Sequence, residues 1–183
     1  MKFNAKNIVL PAIILCLICF CVSGLLVLTN ELTKDQIALA LEETAAESRM
    51  IVMSDADSFE EIDANTYLAK NGDTEIGYVF TTETSGYSGT VSVMTGIDME
   101  KNITGIVILS QSETPGLGAN CVNESFTDKF KQQVSDSLSV VKNTASGDGN
   151  IEAMTGATIT STAVTDAVNI AIGLFDDVSG GEG

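Results

Sequence analysis

The pattern of apolar and polar positions changes its period twice along the chain. Residues Ile8 to Leu28, IVLPAIILCLICFCVSGLLVL, form an apolar run without a single charge. Its 21 residues, rising ~1.5 Å each as a helix, span ~30 Å, the hydrocarbon thickness of a bilayer. Pro11 is placed in the first turn, where a missing N–H costs little. A cleavable signal would have a shorter apolar region and a small-residue cleavage site, so the run predicts an uncleaved anchor within 1–29. From Asn30 to Met53, Leu32, Ile37, Leu41 and Ala45 recur at roughly helical spacing among good helix formers. Asp55 to Asn71 is acidic and reads as a short helix or loop, which makes 30–75 a helical connector.

The period then falls to two. IGYVFTT (76–82), GTVSVMTGI (89–97) and ITGIVILS (103–110) predict three strands. Val91 and Val93 alternate with polar neighbours, whereas Ile106, Val107, Ile108 and Leu109 run together as in a strand covered on both faces. DMEKN (98–102) has the size of a hairpin connection. Beyond Ser110 the chain is irregular, with a helix expected over 125–134 and a turn in SGDGN (146–150). A helix over 160–175 places Val164, Ala167, Val168, Ala171, Leu174 and Phe175 on one stripe. The tail, 179–183, is expected to fray. A hairpin-rich sheet with flanking helices, lacking regular β–α alternation, predicts an α+β domain over 76–178, carried on a single N-terminal transmembrane helix.

Charge and side-chain chemistry narrow the function. Twenty-five acidic residues against nine basic ones give a net charge of −16, which excludes a nucleic-acid partner. The acidity reads either as solubility of an exposed face or as a device that shapes partner choice and holds a bound redox group at low potential. The absence of histidine removes Ser-His and Cys-His nucleophile pairs, haem ligation by His and the common zinc sites; no metal site is expected. Cys16, Cys19 and Cys21 lie in the apolar run and behave there as small hydrophobes. Cys121, alone beyond it, cannot close an internal disulfide or cage an iron–sulfur cluster. Lys2 and Lys6 precede the span, while Glu31, Lys34, Asp35, Glu42 and Glu43 follow it. The positive-inside rule therefore puts the N-terminus in the cytoplasm and the main domain on the outer side of the cell membrane.

Two irregular segments could carry chemistry. SETPGLGA (112–119) gathers Pro115, Gly116 and Gly118 into a tight turn that exposes backbone N–H groups to a flat polar ligand, unless it only leads the chain out of a strand. In EAMTGATITS (152–161), Gly156 and Ala157 permit close approach to the backbone, and Thr158, Thr160 and Ser161 place hydroxyls where the last helix begins. A phosphate could be held or bonded there; the hydroxyls could equally form an ordinary N-cap. No Gly-Lys-Ser/Thr is present, so this is not a Walker loop. SGYSG (85–89) is a hairpin turn or a further wall of the same site.

MTGATITS resembles the flavinylation motif, in which an acid and two variable residues precede Ser/Thr-Gly-Ala-Thr. The acid here is Glu152, where aspartate is more usual, and the motif closes with Thr155, Gly156, Ala157 and Thr158. ETPGLG (113–118) resembles the family's second motif, which lies against the flavin. With the anchor and the strand GYVFTT, the likeness covers nearly the whole chain and is to the G subunits of Rnf complexes, the ion-pumping ferredoxin–NAD oxidoreductases. The resemblance implies an electron-relaying subunit with FMN joined through its phosphate to Thr158. It implies that Gly156 and Ala157 permit the attachment geometry and that Glu113, Thr114, Leu117 and Gly118 line the isoalloxazine, with Tyr87, Met154 and Phe126 as further ring contacts. Its implied partners are the other membrane subunits and a separate flavin transferase, and its electron flow is coupled to Na+ or H+ movement. The alternatives are the C subunit of a sodium-pumping NADH–quinone oxidoreductase, which shares both motifs in a longer chain, another extracytoplasmic flavin carrier, and a cofactor-free anchored binding module.

Overall fold

The computed structural model describes residues 5–132, 137–142 and 149–180. Helix α1 (Ala5–Val52) runs without a break through the apolar segment and the first half of the expected connector. It begins earlier than the apolar run, so Pro11 lies inside it rather than in its first turn. The missing N–H leaves one carbonyl of the preceding turn without its usual bond. Between Val9 and Leu41 the large apolar side chains of α1 are exposed, Phe20 to 81%. By length and composition two of the described helices could cross a bilayer. The second, α3 (Thr158–Ser179), buries ten residues in the domain core.

The chain divides into two compact units, Met1–Glu43 and Thr44–Gly183. The second contains an antiparallel meander in the order β1 (Ser58–Asp63), β2 (Thr66–Asn71), β3 (Thr74–Ser85), β4 (Thr90–Asp98) and β5 (Ile103–Ser110). The three expected strands are β3, β4 and β5, the last with the expected limits. Residues 58–71 correct the expectation of a helix or loop. They form a hairpin in which Phe59, Tyr67 and Ala69 pack into the sheet's second core. The β2–β3 connection is only two residues long, since Asn71 pairs with Thr74, and Gly72 supplies its positive φ of 59°.

The expected helix over 125–134 is also corrected. A single turn, α2 (Glu124–Thr127), lies between 3-10 turns at Gly118–Val122 and Asp128–Phe130. Asn123 makes no side-chain cap, and Lys131 leaves helical geometry at φ −71°, ψ 85°. The i,i+4 spacing of Phe126 and Phe130 serves burial: their rings meet edge to face at 5.4 Å. The end of that expected helix, 133–134, lies outside the described residues. So does most of the expected turn at 146–150 and the end of the tail, 181–183. The strands β6 (Ser139–Val141) and β7 (Asn150–Glu152) form a separate parallel pair. The Asn169 amide of α3 pins it by accepting from Leu138 N at 2.8 Å and donating to Leu138 O at 3.0 Å.

Both sheet faces are covered, which explains the continuous apolar run in β5. On one face Phe80, Val91, Val93, Ile97 and Ile106 meet Val164, Ala167, Val168, Ala171, Ile172 and Phe175 of α3. Each fully buried aliphatic or aromatic side chain contributes roughly 1.5–3 kcal/mol. Two hydroxyls of β3 fix the register of the helix: Thr82 donates to Ala167 O at 2.9 Å and Thr84 to Ala163 O at 2.7 Å. On the other face Val79, Met94, Val107 and Leu109 meet Val52, Met53 and Ala56 at and just beyond the end of α1. Gly96 and Gly105 let the α1 backbone come close: a Cβ on Gly96 would stand 2.6 Å from Val52 O. Thr104 donates its hydroxyl to that same carbonyl.

Candidate functional site

Two tight turns of one design approach each other at the entry to α3. In the loop after β5, Leu117 N donates to Thr114 O at 3.1 Å, with Pro115 and Gly116 (φ 79°) between them. Before α3, Ala157 N donates to Met154 O at 3.0 Å, with Thr155 and Gly156 (φ 77°) between them. Each places a glycine where a type II turn requires positive φ. They meet where Leu117 Cδ2 lies 3.2 Å from the position of a Cβ on Gly156.

These turns and the β3–β4 connection enclose a cavity of ≈ 460 Å3. Tyr87 comes from that connection. Glu113, Thr114, Leu117 and Gly118 come from the loop after β5, and Gly156, Ala157, Thr158, Ile159 and Thr160 from the start of α3. Tyr87, Leu117 and Ile159 are exposed large apolar side chains and give the cavity apolar walls. Seven of the eight residues singled out by the motifs line it. Thr155 is the exception: it is exposed in its turn. Tyr87 also lines the cavity, but Phe126 is buried in the main core and Met154 packs against that core. Ile159, which was not singled out, lines it too, as does Thr160, expected only as one of the hydroxyls at the helix entry. For Thr160 the signal was its position two residues past Thr158, in the helix's first turn.

Glu113 organises the polar side. The residue is only 6% exposed. Oε1 accepts from Ser88 N at 2.9 Å, Oε2 accepts the Thr160 hydroxyl at 2.6 Å, and Tyr87 N also donates to the carboxylate. Burial by itself raises the carboxyl's pKa, but the Thr160, Ser88 and Tyr87 donors together outweigh it and hold Glu113 below the usual carboxylate range. Two glycines make room for this group. A Cβ on Gly86 would stand 2.5 Å from Oε1, and one on Gly118 2.5 Å from Oε2. The Cys121 thiol is buried, and desolvation together with the Glu113 charge pushes its pKa up to about 11, leaving it protonated and unreactive at neutral pH.

At the start of α3 the hydroxyls are unequally committed. Ser161 donates to Ala157 O and accepts from Met154 N, each at 2.9 Å. Thr160 is engaged by Glu113. Thr158, the first helical residue, is half-buried in the cavity wall, and its hydroxyl enters no hydrogen bond among the described residues. The N-cap is Ala157, which has no side-chain oxygen to offer. The expected alternative of a Thr/Ser side-chain cap is thereby corrected, and the first N–H groups of α3 point outward without one. Glu152, the acid of the motif, lies in β7; Lys129 Nζ stands 3.6 Å from its Oε2 and donates to its carbonyl at 3.2 Å.

An apolar-walled cavity closed by glycine turns at a helix N-terminus defines a small-molecule site suited to a planar ring with an anionic arm. Residues 86–173 match the FMN-binding domain family and residues 1–48 match the RnfG N-terminal region. The chain is 39% identical over 134 residues to the G subunit of the proton-translocating ferredoxin:NAD(+) oxidoreductase complex of Clostridium ljungdahlii, covering 72% of each chain. It is 37% identical over 178 residues to the G subunit of the Na(+)-translocating ferredoxin:NAD(+) oxidoreductase complex of Acetobacterium woodii, covering 84% of each. The fold is that of the crystal structure of Shewanella oneidensis NqrC, with a TM-score of 0.57 at 16% identity over 72% of this chain and 74% of that one. The chain belongs to the family of Rnf complex G subunits, with an FMN-binding domain.

The residues present fit FMN. The cavity volume lies within the few hundred Å3 that small-molecule sites occupy. Tyr87, Leu117 and Ile159 offer apolar surface for a ring, and the uncapped start of α3 offers N–H groups and a positive dipole end for a phosphate.

Proposed function

We propose that this chain is the electron-carrying G subunit of a membrane-bound ferredoxin–NAD oxidoreductase that couples electron flow to Na+ or H+ translocation. FMN supplies the redox chemistry; the chain binds it, orients it and sets its electrostatic surroundings. In this reading FMN is joined through its phosphate to Thr158 Oγ1 by a separate flavin transferase. Residues 1–29 anchor the chain as a single span with the N-terminus in the cytoplasm, and 76–178 carry the flavin on the outer side.

The observation that carries the linkage is the division of labour among the hydroxyls. Thr160 and Ser161 are buried in hydrogen bonds, and Thr155 stands outside the cavity. Thr158 alone of the four combines a place in the wall with a hydroxyl left free among the described residues. Gly156 and Ala157 keep the approach to it open. Covalent attachment also suits a domain facing outward, where an exchanging cofactor would be diluted away.

The full chain, produced with a flavin transferase and measured by intact mass under denaturing conditions, is expected to gain the mass of FMN less one water. Thr158→Ala is expected to lose that gain. An unmodified chain in a host that labels a known acceptor removes the phosphoester. Flavin that purifies with the folded chain but leaves on denaturation keeps the flavoprotein reading while removing the covalent bond.

A further inference from the structure

We infer that Glu113 is a potential-setting residue: a fixed, uncompensated negative charge in the cavity wall that makes the bound flavin harder to reduce. The inference rests on the flavin reading above and deepens it. Three observations carry it. First, the carboxylate cannot turn away, because both oxygens are held by donors from two different segments, Ser88 and Tyr87 on one side and Thr160 on the other. Second, it cannot slide, because Gly86 and Gly118 close against its two oxygens. Third, no salt bridge among the described residues involves it, although Lys129, Lys131 and Lys101 all find acidic partners elsewhere.

The donors that surround Glu113 are neutral. They stabilise its ionised form without cancelling its charge, so the field reaches into the cavity with little screening from the buried side. The same charge adds to burial in raising the pKa of the nearby Cys121 thiol. Electrons delivered to the ring by a low-potential donor add negative charge beside this carboxylate, oxidising the donor and reducing the ring. That addition is opposed by like-charge repulsion, and the opposition is removed when the group is made neutral.

Glu113 is therefore a positioning and tuning residue that exchanges no proton or electron itself. The full chain, loaded with FMN and solubilised, is compared with Glu113→Gln by potentiometric titration against mediator dyes. The variant is expected to have a more positive midpoint, by roughly a tenfold change in the one-electron equilibrium, or 59 mV. Ser88→Lys is the second variant. Ser88 is exposed and meets Glu113 only through its backbone N–H, so the change adds a cation nearby and leaves the carboxylate's donors in place. It too is expected to raise the midpoint.

A loaded Glu113→Gln with an unchanged or more negative midpoint overturns the inference. If Glu113→Gln does not load, an unchanged midpoint in Ser88→Lys overturns it instead. Failure of the wild-type chain to carry any flavin is a different result and removes the proposed function itself.

Discussion

Thr160 donates its hydroxyl hydrogen to Glu113 Oε2 across 2.6 Å, joining the first turn of α3 to the loop that leaves β5. Both residues are buried, so the bond cannot be exchanged for one to water. Thr160→Val is expected to leave the carboxylate short of a donor and to destabilise the chain by about 1–3 kcal/mol. Thr160→Ser should retain most of that stability. Chemical denaturation of the detergent-solubilised chain measures both; equal stability of Val and wild type would mean the bond contributes nothing net.

Acid should weaken the same junction. A carboxyl whose folded pKa is depressed contributes stability that is complete above its unfolded value of ~4.3 and fades as pH falls through the lower folded value. The melting temperature of wild type should exceed that of Glu113→Gln most clearly near neutral pH. The gap should begin to close below about pH 4.3 and vanish once the folded carboxyl is protonated. A gap that stays constant down to strong acid would contradict the depressed pKa.

The glycines make a paired test. Gly118→Ala drives a methyl into the Glu113 carboxylate and should cost about 1–3 kcal/mol through overpacking. Gly173, exposed in α3 with nothing within 4 Å of a built Cβ, should respond oppositely. Its change to Ala is expected to stabilise by about 0.5–1 kcal/mol through helix propensity. Thermal melts of the two variants should therefore move in opposite directions.

Hydroxyl identity should decide flavinylation. Thr158→Ser keeps an oxygen at the cavity wall and is expected to accept flavin, while Thr155→Ala, outside the cavity, should leave the yield unchanged. Peptide mapping of the modified chain locates the label. Label at Thr155, or undiminished label in Thr158→Ala, would move the attachment point.

The parts of the fold legible in the sequence are those where one physical rule acts alone. Burial on both faces turns 103–110 into an apolar run whose limits coincide with β5, and the stripe from Val164 to Phe175 marks the covered face of α3. The hairpin at 58–71 is harder to read because β1 is an edge strand, exposed along most of its length and acidic. The usable signal for β2 lay at its far end, in Gly72-Asp73, the two-residue hairpin-type connection to β3. Phe126 and Phe130 have helical spacing, yet the chain around them bends into three short turns, and such breaks leave little trace in periodicity. The parallel pair β6–β7 consists of three-residue strands from separate segments, too short for any alternation to register. At the site, the glycines and hydroxyls of the two turns were legible as chemistry. The alliance of Glu113 with Thr160 was not, because it joins residues far apart in the chain.

The carbonyl of Val52, seated on Gly96 and held by Thr104, has a practical consequence for anyone preparing the flavin-bearing part without its membrane helix. A fragment starting at residue 76 would lack β1 and β2 and lose the wall formed by Val52, Met53 and Ala56. Its sheet would present a bare edge and a greasy face, an invitation to aggregate. One starting at Thr44 keeps the last turns of α1 as a cover over that face and needs no replacement for it.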